Sequence, residues 1–158
     1  NHETVIKAVR ELRNPKIHYI ICGQGTLEVY LKELIKKLKL ENQVKLLGYR
    51  QDINEICKIA DVFVFPSFRE GLPVALMEAM ASGLPVICSD IRGNIDLIQN
   101  EKGGFLVKPK DIIGFSNAIQ KLYNSAEIRK TMSEHNLKQI EKYSIKNVME
   151  QMENIYTI

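Results

Sequence analysis

Two glutamates, Glu70 and Glu78, stand eight positions apart in a stretch that otherwise carries little charge, DVFVFPSFREGLPVALMEAMASGLPVICSD over Asp61–Asp90. Between Gly71 and Ser89, Glu78 is the only charged residue, and its neighbours are Val74, Ala75, Leu76, Met77, Ala79, Met80 and Ala81. A helix apolar on nearly every side is expected to be buried, where an unpaired carboxylate costs several kcal/mol. Glu78 is therefore expected to be buried and to meet donors: an arginine, backbone amides or the hydroxyls of a ligand. Between the two acids, the amides of Gly71 and Leu72 open a helix N-terminus, which suits phosphate. Taken alone, these residue types leave ligand binding and structural capping equally open.

The elements that would position this chemistry form a strand–loop–helix–strand unit. Val62–Phe65 is a β-branched and aromatic run that reads as a buried strand, ended by Pro66. Ser67–Leu72 is a loop at the strand's carboxyl end, where open α/β sheets bind ligands. Pro73 suits the first turn of a helix over Pro73–Ser82, Gly83 stops it, and Pro85–Cys88 is the next strand. Such units build parallel α/β sheets.

EGLPVALMEAMASGLPVI, preceded by FPSFR, resembles the Glu-x7-Glu signature of family 4 glycosyltransferases, which have two Rossmann-like domains in the GT-B arrangement. The resemblance implies that Glu70 is the catalytic-site residue touching the transferred sugar. It implies that the Gly71–Leu72–Pro73 backbone holds the donor diphosphate and that Glu78 binds the ribose hydroxyls. It also places Gly23 and Gly25 beside the donor phosphates, and the nucleobase against main-chain groups near Tyr49 and Arg50. No metal and no cofactor is implied, since the family usually needs none and no Asp-x-Asp motif accompanies the site.

Composition narrows the remaining classes. The chain has 158 residues, 45% apolar and 26% charged, which suits one soluble domain with a sizeable core. No apolar run is long enough to span a bilayer, and the opening residues are expected to form part of a domain instead of a signal peptide. A net charge of +3 with scattered lysines implies no nucleic acid and leaves room for weak attraction to an anionic membrane surface. Cys22, Cys57 and Cys88 lack paired spacing and read as small core hydrophobes in a reducing cytoplasm.

Along the chain, Asn1–Leu12 has helical spacing at Val5, Ile6, Val9 and Leu12. Lys16–Cys22 reads as a strand leaving through Gly23-Gln24-Gly25, with His18 as a satisfied core histidine. Thr26 is expected to cap a helix carrying Leu27, Leu31, Leu34, Ile35 and Leu38. Gln43–Leu47 is the next strand. Asp52–Ile59 is a short helix capped by Asp52, with Ile53, Ile56 and Ile59 inward. Ser89–Asp96 is a further carboxyl-end loop, in which Asp96 matches a family glutamate or starts a helix. Gly103–Val107 is the last strand, followed by helices over Ile112–Tyr123, Ala126–Lys142 and Ser144–Tyr156.

The fold expected is α/β: a Rossmann-like parallel sheet of at least five strands with helices on both faces, the C-terminal half of a GT-B fold. By family topology a first strand and an N-terminal acceptor domain lie upstream of Asn1. So do an Arg and a Lys at the diphosphate. A gap in the sheet is then expected between Ile17–Cys22 and Val62–Phe65, and the last helix is expected to cross back to the N-terminal domain. The function implied is the donor-binding part of a retaining glycosyltransferase, cytoplasmic or at the inner face of the membrane. It would transfer a sugar from a nucleotide-sugar, UDP-linked by preference over GDP, to a saccharide or lipid-linked acceptor of a cell-surface or capsular polysaccharide. A nucleotide-sugar-binding module without transferase activity, or another GT-B enzyme such as an epimerase, is the alternative.

Overall fold

Strands and helices alternate through most of the chain in the computed structural model, which describes residues 1–156. In order they are α1 (His2–Leu12), β1 (Tyr19–Cys22), α2 (Glu28–Lys37), β2 (Val44–Gly48), α3 (Ile53–Ile59), β3 (Phe63–Phe65) and α4 (Val74–Ala81). Then come β4 (Val86–Ser89), β5 (Gly104–Val107), α5 (Ile112–Asn124), α6 (Ala126–Ile140), a 3-10 turn (Glu141–Tyr143) and α7 (Ile145–Tyr156). All strand pairings between these elements are parallel, as expected of βαβ connections.

The expected five strands are present but form two ladders. β1 pairs with β2, and β3, β4 and β5 pair in that order. No hydrogen-bonded ladder joins the two sets. Side-chain packing joins the two sets instead. One core cluster contains Val5, Ile6, Ala8 and Val9 of α1, Tyr19 and Ile21 of β1, Val44 of β2, Ile87 of β4, Val107 of β5 and Phe115 of α5. A second cluster holds Leu76 and Met80 of α4 against Val86 and Cys88 of β4. Alternate residues of β4 thus enter different clusters, and the strand is buried on both faces. That is why its sequence runs apolar without alternation.

Helix ends follow their local chemistry. Asp111 accepts the Gly114 amide at 2.8 Å and caps α5, while Ser125 accepts Ile128 at 3.2 Å and caps α6. After α4, Gly83 takes φ +74°, and the Leu84 amide reaches back to the Ala79 carbonyl, so the predicted glycine stop is present. The buried Asn136 of α6 donates to the carbonyls of Leu84 and Gly103, tying that helix to the ends of both flanking strands.

Several local expectations are corrected. His18 lies outside the core: β1 begins one residue later, and His18 falls in the exposed approach to it. Thr26 caps nothing, because α2 starts at Glu28 after a turn, and Leu27 is exposed. Asp52 precedes α3 without a side-chain capping bond, its carboxylate being held by Arg50. Within α3 the buried residue is Cys57, whereas Ile59 is 81% exposed at the helix end. Cys57 and Cys88 are buried and Cys22 half-buried, with burial pushing the Cys88 thiol up to about 12.

Candidate functional site

Because the strands are parallel, their carboxyl ends deliver successive loops to one end of the domain. Gly23 leaves β1 at φ +129° and donates its amide to the Gly48 carbonyl at 2.7 Å, which ties the exits of β1 and β2 together. Space beside Gly23 and Gly25 is open. Tyr49 projects from the second exit, 68% exposed. Arg50 forms a two-pronged pair with Asp52, Nε–Oδ1 2.8 Å and Nη2–Oδ2 2.5 Å. That pair lowers the Asp52 pKa and raises that of Arg50. The guanidinium is thus engaged, and what this turn offers a ligand is the Tyr49 ring and main-chain groups.

The third exit carries the central chemistry. Pro66 is buried and anchors the turn out of β3, and Glu70 is half-buried. Pro73 is the last residue before α4, its carbonyl accepting Leu76 and Met77, so the helix proper starts one residue later than predicted. Among the described residues the amides of Gly71 and Leu72 have no acceptor and point to no backbone partner. No acidic side chain occupies the first turn of α4 to neutralise them.

Glu78 is where the sequence reading fails. It is exposed, not buried, and its carboxylate has no hydrogen bond or ion pair among the described residues. α4 buries Leu76, Ala79 and Met80 on one face and leaves Val74, Ala75 and Glu78 on the other, Val74 being 64% exposed. An eight-residue helix needs only one buried face, so its apolar composition did not force burial all round. The carboxylate stands near Cys57, whose thiol is pushed up first by burial and further by the Glu78 charge.

A cavity of about 790 Å³ opens between the third and fourth exits, lined by Arg69, Glu70, Gly71, Arg92 and Asp96. Of the predicted residues it brings together Glu70 and Gly71, with Asp96 of the fourth loop. Gly23, Gly25, Tyr49, Arg50, Leu72, Pro73 and Glu78 do not line it. Two arginines enter that the sequence reading did not assign, Arg69 and Arg92; neither makes an ion pair or hydrogen bond among the described residues. The expectation looked for cations upstream of Asn1, whereas these two flank the cavity from within. Their only sequence signal was a basic residue beside Glu70 and another beside Gly93. From the fifth exit Lys110 lies 5.9 Å above the Phe68 ring. No group of three or more His, Cys, Asp or Glu suited to a metal occurs among the described residues, and no helix there is long and apolar enough to cross a membrane.

Chemically, one cavity thus presents two carboxylates, two guanidinium groups and the backbone of Gly71, whose amide has no acceptor among the described residues. Carboxylates accept from saccharide hydroxyls, while guanidinium groups and amides answer phosphate. The family profile of glycosyl transferases group 1 matches residues 1–139. A putative glycosyltransferase of Bacillus subtilis, EpsD, is 31% identical over 99% of this chain and 42% of its own length. The Escherichia coli UDP-Gal:alpha-D-GlcNAc-diphosphoundecaprenol alpha-1,3-galactosyltransferase is 44% identical over 66% of this chain and 27% of its own. Among solved structures, Anabaena HepE in complex with UDP and glucose superposes with a TM-score of 0.89 at 25% identity, over 98% of this chain and 44% of that one. The chain therefore spans less than half the length of these proteins.

Proposed function

The chain belongs to the glycosyl transferases group 1 family, and from that premise we propose that it is the donor-binding part of a retaining glycosyltransferase. The donor is a nucleotide-sugar, with UDP as carrier. The acceptor is a saccharide or lipid-linked precursor of a cell-surface polysaccharide. The observation that carries this reading is the cavity that Glu70 and Gly71 line together with Arg69, Arg92 and Asp96, beside the unpaired Gly71 and Leu72 amides.

Each group has a distinct task. The nucleoside lies across the β1 and β2 exits, its base against Tyr49 and main-chain groups near Arg50, its ribose hydroxyls on Glu78. An exposed carboxylate without a partner has both oxygens free to accept from a diol. The diphosphate crosses the glycine exit and the start of α4, where amides and the helix dipole meet its charge. The sugar enters the cavity, with Glu70 accepting from its hydroxyls. As the glycosidic bond breaks, negative charge grows on the leaving diphosphate. Amides fixed in advance, with Arg69 and Arg92 nearby, stabilise that charge without rearranging. We assign the leaving-group charge to these groups rather than to a metal. Retention of configuration follows from attack on the face that the diphosphate leaves.

Two further features support the reading. The E. coli relative is named for a UDP-sugar donor and a diphosphoundecaprenol acceptor, and HepE was solved with UDP and glucose. α7 carries Ile145, Val148, Met149, Met152 and Ile155 along one side and buries none of them here. We assign that stripe to an acceptor-binding N-terminal domain across the cleft, and place the protein at the cytoplasmic face of the membrane where a lipid-linked acceptor is reachable.

Titration calorimetry with UDP, GDP and UDP-sugars tests the donor assignment. The expected result is UDP binding on the order of 0.1–1 mM, about 4–5.5 kcal/mol, by a chain that alone transfers no sugar. Absence of binding of either nucleotide at about 10 mM overturns the reading, and so does turnover by this chain alone.

A further inference from the structure

Gly93 sits in the fourth exit loop at φ +88°, and a Cβ placed there would lie 2.3 Å from the Gly71 carbonyl oxygen and 2.9 Å from that of Glu70. No real side chain tolerates those distances, and both near atoms are backbone, which cannot swing aside. We propose that Gly93 is a positioning residue: by letting two backbones touch, it seats the Glu70–Gly71 loop and so aims the Gly71 and Leu72 amides and the Glu70 carboxylate. The inference rests on the donor-site reading above and extends it to a residue outside the cavity lining.

The direction of the effect follows from which loop is firm. Gly93 is followed by Asn94, fully buried, whose Nδ2 donates to the Ser89 carbonyl at 2.9 Å. Main-chain bonds from Leu97 and Ile98 return to the Asn94 carbonyl, and both residues are in the core. The Glu70 side is looser, with Phe68, Arg69 and Leu72 exposed. A side chain at position 93 therefore displaces the Glu70–Gly71 loop and leaves the firm turn in place. Arg92 and Asp96 ride on the firm loop and Arg69, Glu70 and Gly71 on the other. The single backbone contact at Gly93 thus sets the spacing between the cavity's two walls.

The test compares UDP with UMP, because the gain from the second phosphate reads the Gly71–Leu72 amides while the nucleoside side is common to both. The 15N-labelled chain is titrated with each in wild type, Gly93→Ala, Gly93→Asn and Gly83→Ala. Asparagine tolerates positive φ, so Gly93→Asn keeps the collision with less backbone strain. Gly83 has φ +74° but faces only side chains of α6, so Gly83→Ala reports strain away from the site. Wild type and Gly83→Ala are expected to bind UDP about tenfold more tightly than UMP. Both Gly93 variants are expected to lose that ratio while keeping their affinity for UMP. The ratio persisting in both Gly93 variants, UDP and UMP affinity falling together, or both variants failing to fold would each overturn the proposal. A wild-type chain that binds UDP and UMP equally also overturns it, yet leaves the nucleotide-binding reading standing. A chain that binds neither removes both.

Discussion

Replacing Glu78 by Gln separates a binding role from a structural one, because the structure removes any reason for the fold to need the charge. The carboxylate is exposed and has no hydrogen bond or ion pair among the described residues. A surface change of this kind alters stability by less than about 0.5 kcal/mol, so the melting temperature should move by no more than about 2 °C for a domain of this size. Binding is another matter. A hydrogen bond to a charged group contributes about 1.5–3 kcal/mol, and the amide keeps one weaker acceptor, so the expected loss is roughly 1–3 kcal/mol. At about 1.4 kcal/mol per decade this is a 5- to 150-fold weaker affinity for UDP. A starting dissociation constant of about 0.1–1 mM then rises to the order of 1 mM or well beyond it. Calorimetry, with a thermal melt on the same samples, reads both quantities. Unchanged UDP affinity refutes the ribose assignment. A loss of more than about 1.5 kcal/mol in stability refutes the claim that Glu78 is free of structural duty.

Glu70→Ala should spare affinity for free UDP and weaken UDP-sugar binding, measured by parallel titrations; equal losses for both ligands would contradict a sugar-side role. Phe115, fully buried between α1 and the sheet, should cost about 3–5 kcal/mol on replacement by Ala, read from the urea midpoint. His2 supplies the pH dependence: burial holds it at about 4 instead of 6.5. The unfolded chain therefore binds a proton that the folded chain refuses, so this contribution is intact above pH 6.5 and is lost as pH falls toward about 4. Taking those two values, stability should drop by about 2 kcal/mol between neutral pH and about pH 5. Denaturant titration at both pH values should show His2→Gln flattening the slope.

What the sequence disclosed was mostly backbone punctuation. Val62–Phe65, Gly83 and the glycine exit after Cys22 could be placed because strand runs and glycines act locally. Glu78 was misjudged for a different reason. Apolar composition reports how many residues could be buried, and says nothing of how many faces a short helix has covered; α4 covers one. His18 was assigned to the core by its apolar neighbours, but the strand starts at Tyr19 instead of Lys16 and leaves it in the exposed approach. Arg69 and Arg92 are 23 positions apart in the chain and meet only because parallel strands return their loops to one end. Gly93 was legible as a loop glycine, and its contact with Gly71 was not: a close approach between two backbones leaves no residue type to betray it.

The site also depends on an element that touches no part of it. Residues assigned to the base follow β1 and β2, while those assigned to the ribose and the sugar follow β3 and β4, and no hydrogen-bonded ladder joins the two sets. Their spacing is kept by packing, chiefly by α1, whose Val5, Ile6 and Ala8 are fully buried in the one cluster that draws on both ladders. Interiors packed at crystal-like density hold position well, yet they respond to a change of even one methylene. A ladder would fix the distance through directional bonds that tolerate side-chain substitution. Packing fixes it through side-chain volume, which substitution alters directly. Conservative changes in α1 should therefore be felt as a changed distance between the Tyr49 and Glu70 loops before they are felt as unfolding, although no α1 residue lines the cavity.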